Sequence, residues 1–98
     1  MRKVIIPSNL WSEIGKIKDY LIDELKLSET AAETRVKRME DFVLSFANPV
    51  DYALCRFKKW RELGYRCAVF EKSWVFAYEI FEGGVIVRDM SHTAALSE

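Results

Sequence analysis

Ninety-eight residues, half of them apolar or aromatic, set the size of one domain with a single modest core, and we assign residues 1–98 to it. Fifteen Lys and Arg balance fifteen Asp and Glu, which excludes nucleic-acid binding by bulk charge and leaves only local contacts for that purpose. The apolar run at residues 4–6 is far shorter than the roughly 20 residues of a membrane helix and no cleavage region follows it, so we expect a soluble, unprocessed, cytoplasmic chain. Cys55 and Cys67 lack the paired spacing of a zinc site, and reduced thiols are the expectation.

In chain order, "RKVIIP" is a short β-branched run stopped by Pro7, which cannot donate to a ladder, and it predicts a first strand. Leu10, Ile14, Ile17, Leu21 and Leu25 recur at helical spacing, with Ser8 or Asn9 as the expected N-cap. Ser28 caps a second predicted helix whose stripe is Ala32, Val36, Met39, Val43 and Phe46, ended by Asn48-Pro49. The short connection makes the two helices an antiparallel hairpin. After Pro49, "YRCAVF", "SWVFAYEIF" and "VIVRDM" read as three antiparallel strands in a meander, and residues 53–60 can add a short irregular fourth. Gly83-Gly84 supplies the positive φ angles of a tight hairpin. The fold class is therefore α+β. The helix hairpin is expected to cover one face of the sheet and to leave a partly apolar concave face on the other.

The sequence contains no Gly-rich phosphate loop and no Gly-x-Ser-x-Gly elbow, so nucleotide-dependent and serine-hydrolase chemistry lack support. No metal site and no cofactor are expected, since a single histidine stands without clustered carboxylates. What remains is "CRFKKWRELGYR", together with Arg88 and His92. Arg56, Lys58, Lys59, Arg61 and Arg66 read either as a solvated, aggregation-resistant edge or as an anion-binding patch. Phe57, Trp60 and Tyr65 are interleaved with them, which suits stacking on exposed bases or anchoring a protein partner. Cations around a phosphodiester could also stabilise the charge that develops when a ribose 2′-hydroxyl attacks phosphorus, without a metal. His92, expected just past the last strand, is the candidate acid or base, a role to which an imidazole side chain is suited; Arg88 is either an outward cation or a second phosphate clamp. Trp11 and Trp74 are expected in or near the core and Trp60 on a partner surface.

Strand, helix hairpin, basic segment and meander, with "VIIP", the Pro49 break, "LGYRCAVF", "WVFAYEI" and "VIVRDMSH" in that order, resemble the RelE/ParE toxins of type II toxin–antitoxin systems over nearly the whole chain. The resemblance implies a growth inhibitor neutralised by a cognate antitoxin protein. It further implies either ribosome-dependent, metal-independent mRNA cleavage or, as in the ParE-like branch, inhibition of DNA gyrase without nuclease activity. A degenerate, non-toxic member is a third alternative. Carried over to this sequence, Arg66 of "GYR" matches the arginine on the scissile phosphate, Lys59 a lysine in proton transfer and Arg61 a further basic position. With His92 as acid or base, these four form the implied catalytic set, and Arg56, Lys58, Trp60 and Arg88 the implied RNA- or partner-binding set. Departures from the nuclease pattern are Phe57 where a companion lysine is expected, Ala94 where an arginine is expected, and Thr93 after His92 where one branch has tyrosine.

Overall fold

The structure, a computed structural model, describes residues 1–96. Strand β1 (Lys3–Ile5) leads through Pro7 into helix α1 (Ser8–Asp23), followed by helix α2 (Glu29–Leu44) and a 3-10 turn, Ser45–Ala47. A one-turn helix α3 (Lys58–Arg61) precedes strands β2 (Arg66–Phe70), β3 (Trp74–Phe81) and β4 (Gly84–His92), and a second 3-10 turn spans Thr93–Ala95. The α+β class and the β2-β3-β4 antiparallel meander agree with expectation. The sheet as a whole is mixed, in the order β1-β4-β3-β2, because β1 pairs in parallel with β4.

Each local departure from the sequence reading has a physical cause. Pro7, already extended, occupies the N-cap of α1, and its carbonyl accepts from Leu10 and Trp11; Ser8 lies inside the helix and neither Ser8 nor Asn9 caps it. Helix α1 ends before Leu25, which is left exposed, whereas Leu10, Ile14, Ile17 and Leu21 are buried. Ser28 does cap α2, its Oγ accepting from the Ala31 amide at 3.1 Å. In the Gly-Gly turn only Gly83 has a positive φ, 95°. Gly84 serves a different need: a Cβ there would stand 2.2 Å from the Lys3 carbonyl oxygen, so only glycine lets β1 lie against β4. The β2–β3 turn runs through positive φ at two ordinary residues, Glu71 and Lys72. Helix α2 offsets that cost with Arg35 and Arg38, whose guanidinium groups stand 3.6 and 3.1 Å from the Glu71 carboxylate.

Period-two alternation gives the sheet two faces. One packs Ala68, Phe70, Phe76, Tyr78, Val85 and Val87 against the apolar stripes of α1 and α2, forming the main core. The other was expected to be an open concave surface, but half of it is roofed. There Cys55 and Trp60 pack on Val75 and Ala77 as a second, smaller core, with Phe57, Tyr65, Cys67 and Leu96 at its margin. The roof starts as a single antiparallel bridge between Leu54 and Arg66, which replaces the expected irregular strand, and then turns into α3.

Two expectations are overturned in this roof. Cys55 and Cys67 are joined in a disulfide rather than held as free thiols. The Leu54–Arg66 bridge is what brings them together, setting the two Cα atoms 4.8 Å apart, a separation that pairing register creates and spacing in the chain does not reveal. Trp60, expected on a partner surface, is 2% exposed, while Trp11, expected in or near the core, is 40% exposed. Trp11 sits one position off the Leu10–Ile14–Ile17 stripe and so rotates towards solvent, and one turn of helix is enough to drive Trp60 down onto the sheet.

Candidate functional site

The basic segment forms a loop whose ends are the two bridged cysteines, twelve positions apart. Arg56, Lys58, Lys59, Arg61 and Arg66 all lie between them. The loop is closed by backbone bonds as well: the Cys55 amide donates to Tyr65 O at 3.0 Å and the Cys67 amide to Ala53 O at 3.2 Å. Trp60 is the central anchor, buried among Cys55, Val75 and Ala77, and its Nε1–H donates to Asp89 Oδ2 at 3.3 Å. With Trp60 turned inward, the flanking lysines and arginine of α3 are turned outward. Lys58 and Lys59 are exposed, Lys59 Nζ lies 4.9 Å from the Trp60 ring centre, and Arg61 is exposed on the same turn. Lys58 reaches the Glu62 carboxylate only at 4.0 Å, so this cation stays in water.

The aromatic residues between the cations are not a stacking platform. Phe57 and Tyr65 are half-buried against the second core, and Phe57 meets Trp60 edge-on with ring centres 5.9 Å apart. The loop therefore presents charge outward and keeps its rings for its own anchoring.

The four residues expected to share one catalytic centre occupy three places. Arg66 is the residue before Cys67, and strand alternation sends its side chain to the face opposite α3, where Nη1 donates to Tyr52 O at 2.8 Å. Its neighbour there is Asp51, whose carboxylate is bound by Arg2 and accepts from the Tyr78 hydroxyl at 3.1 Å; the same hydroxyl accepts from the Tyr52 amide at 3.0 Å. The hydrogen bond from Arg2 holds the Asp51 carboxyl below its usual range, with Tyr78 and the Arg66 charge adding to it, and burial pushes the Tyr78 phenol up. Lys59 and Arg61 stand on α3, over the other face.

His92 is the last residue of β4 rather than a residue beyond it, and it pairs in register with Trp74, whereas Arg66 pairs with Tyr78. Four residues along β3 and two strand spacings separate the two positions, about 16 Å between Cα atoms. His92 packs edge-on against Trp74 with ring centres 4.9 Å apart, and its Nδ1 accepts from the Ala94 amide at 3.1 Å, so the neutral ring carries its proton on Nε2. It faces a cleft of about 370 Å³ between α1 and the end of the sheet, shared with Glu13, Lys16 and Tyr20, not the basic loop.

Arg88 precedes Asp89, the residue that Trp60 reaches, but it is engaged elsewhere. The β3–β4 register slips between Ala77 and Tyr78, making Arg88 the extra residue of a bulge, which is why alternation alone could not assign its direction. Its guanidinium is paired to Glu79 Oε1 at 2.7 Å beside the open half of the second face. Among the described residues no group of three or more His, Cys, Asp or Glu is arranged to hold a metal ion, and no helix is long and apolar enough to cross a membrane.

No protein-family model matches the chain, and no curated protein aligns with it. The functional reading therefore rests on the residues and their geometry.

Proposed function

We propose that the chain is a growth inhibitor of the RelE/ParE type, held in check by a cognate antitoxin, and that it acts by docking its cationic loop on an acidic protein target, with gyrase, the target of the ParE-like branch, as the candidate. The observation that carries the choice of docking over cutting is the dispersal of the implied catalytic set. Phosphodiester cleavage needs a phosphate clamp and a proton carrier within hydrogen-bond reach of one substrate. Arg66, the α3 cations and His92 face three different places. Docking makes no such demand. Cations that stay solvated on a covalently closed loop steer an acidic partner and set its orientation. The inward turn of Phe57, Trp60 and Tyr65 favours a protein target over unpaired bases, which are bound by stacking on exposed rings.

Ribosome-dependent mRNA cleavage is the second reading, favoured by the concentration of five cations between residues 56 and 66. Pulse-labelling within minutes of inducing the chain in a bacterium without its antitoxin separates the two. Docking on gyrase predicts early loss of DNA synthesis and accumulation of cleaved DNA held on the enzyme, with protein synthesis falling later. Early loss of protein synthesis together with new mRNA ends would overturn it in favour of cleavage, and undisturbed growth would remove both.

A further inference from the structure

We propose that Cys55 and Cys67 form a reversible thiol–disulfide clip that sets the rigidity of the cationic loop, so that oxidation locks the docking surface and a dithiol reductant loosens it. The clip is read from the fold; its effect on docking rests on the reading of the loop given above.

Lys58, Lys59 and Arg61 lie on α3 between the two sulfurs, so this one bond restrains the segment that carries all three, whereas Arg66 is held in β2. The non-covalent support is thin. Helix α3 has four residues, and a single turn in isolation is unstable in water. The second core holds only four fully buried residues, one of which is Cys55 itself, against fourteen in the main core. Ties from the loop to the rest of the fold include the two backbone bonds at 3.0 and 3.2 Å, the long Trp60–Asp89 bond and the partly buried rings of Phe57 and Tyr65, while the other backbone bonds of the segment, such as Tyr65 N–H to Trp60 O, run within the loop itself. A crosslink across such a loop removes most of the alternatives open to it, which makes it the dominant restraint.

The two bridged residues differ in burial. Cys55 is 1% exposed, whereas Cys67 is half-buried on the edge strand of the sheet. Attack of an incoming thiolate on the Cys67 sulfur breaks the S–S bond, and Cys55 leaves as a thiolate that takes up a proton. The second thiol of the reductant then displaces Cys67, leaving two protein thiols and the reductant as a cyclic disulfide. Released Cys55 stays as a small apolar side chain against Trp60, Val75 and Ala77, so the sheet keeps its packing while the loop gains freedom. Disulfide exchange with an oxidised dithiol reverses both steps. In a cytosol that keeps thiols reduced the loop would be loose, and an oxidising shift would lock it.

The test is hydrogen exchange on the full chain, oxidised and after dithiothreitol with both thiols confirmed by alkylation, beside a Cys67→Ala chain. Reduction and Cys67→Ala should each speed exchange of the Cys55, Tyr65 and Cys67 amides, up to ~100-fold for a loop of this length, and leave β3 and β4 unchanged. Loop exchange that stays slow in the confirmed dithiol form, or in Cys67→Ala, overturns the clip, as does collapse of protection throughout the sheet. Binding of each form to immobilised poly-L-glutamate reports separately on docking. Weaker binding on reduction supports control of docking, equal binding by a loosened loop overturns that control while leaving the clip and the docking reading, and absence of binding by both forms overturns the docking reading while leaving the clip.

Discussion

The two faces of the sheet are built from the same strands but are held by different means. Beneath α1 and α2 lies a continuous core in which Phe76, Tyr78, Val85 and Val87 meet two sixteen-residue amphipathic helices, and the number of buried side chains alone makes it rigid. Beneath the cationic loop lie Trp60, Cys55, Val75 and Ala77, one long hydrogen bond and one disulfide. Packing thus fixes the first face, and a crosslink with one fully buried aromatic anchor, Trp60, flanked by the half-buried rings of Phe57 and Tyr65, fixes the second. The lesson is that the chemistry-bearing charges are carried by the part with the least apolar support, where a small covalent change has the most to alter.

The sharpest way to break the comparison is to damage each face once. Phe76→Ala should remove about 3–5 kcal/mol of stability in chemical denaturation, enough to threaten the fold, because the surrounding core cannot collapse into the space. Trp60→Phe keeps most of the apolar bulk and loses the bond to Asp89, costing about 1 kcal/mol, with altered exchange confined to the loop. If Trp60→Phe were as damaging as Phe76→Ala, the second face would be as load-sharing as the first and the contrast would fail.

A smaller, pH-dependent effect comes from the rim of the helix-covered face. Asp51 has its carboxyl held low by the hydrogen bond from Arg2, so its contribution is complete above the unfolded carboxylate value of about 4 and disappears as pH falls through the folded value. Tyr78 works in the opposite sense. Burial raises its phenol, so folding stability declines above about pH 10, where the unfolded chain ionises first. Asp51→Asn should flatten the acid limb of the stability–pH profile and cost about 0.5 kcal/mol at neutrality, because the Arg2–Asp51 pair is partly solvated. An unchanged acid limb would show that Arg2, Asp51 and Tyr78 are not coupled as their geometry implies.

Much of the fold was legible because it is written in local periodicity. The stripe Leu10–Ile14–Ile17–Leu21, the Ser28 cap and the β-rich runs of the meander each depend on neighbours within one or two turns. What escaped depends on register across the chain. The parallel pairing of β1 with β4 joins residues about eighty positions apart, and only the fit of Gly84 to Lys3 hints at it. The disulfide needs the Leu54–Arg66 bridge, and the direction of Arg88 needs a bulge. The burial of Trp60 was hidden by its charged neighbours, since a four-residue helix is too short for a stripe to be read. The same limit governs the site. Residue types and order singled out Arg66, Lys59, Arg61 and His92, but strand alternation and a separation of four residues along β3 send them apart.

That separation is the central claim, and growth arrest measures it most directly. Three chains would be induced without antitoxin, each checked for an unchanged fold: the native chain, His92→Ala, and Lys59→Ala with Arg61→Ala. Docking through the loop predicts full arrest by His92→Ala and at least a tenfold recovery of viable cells with the double substitution, since each solvated cation it removes weakens attraction to an acidic partner. Loss of arrest in His92→Ala, with the loop cations still effective, would contradict the account and return His92 to a catalytic centre shared with the basic loop.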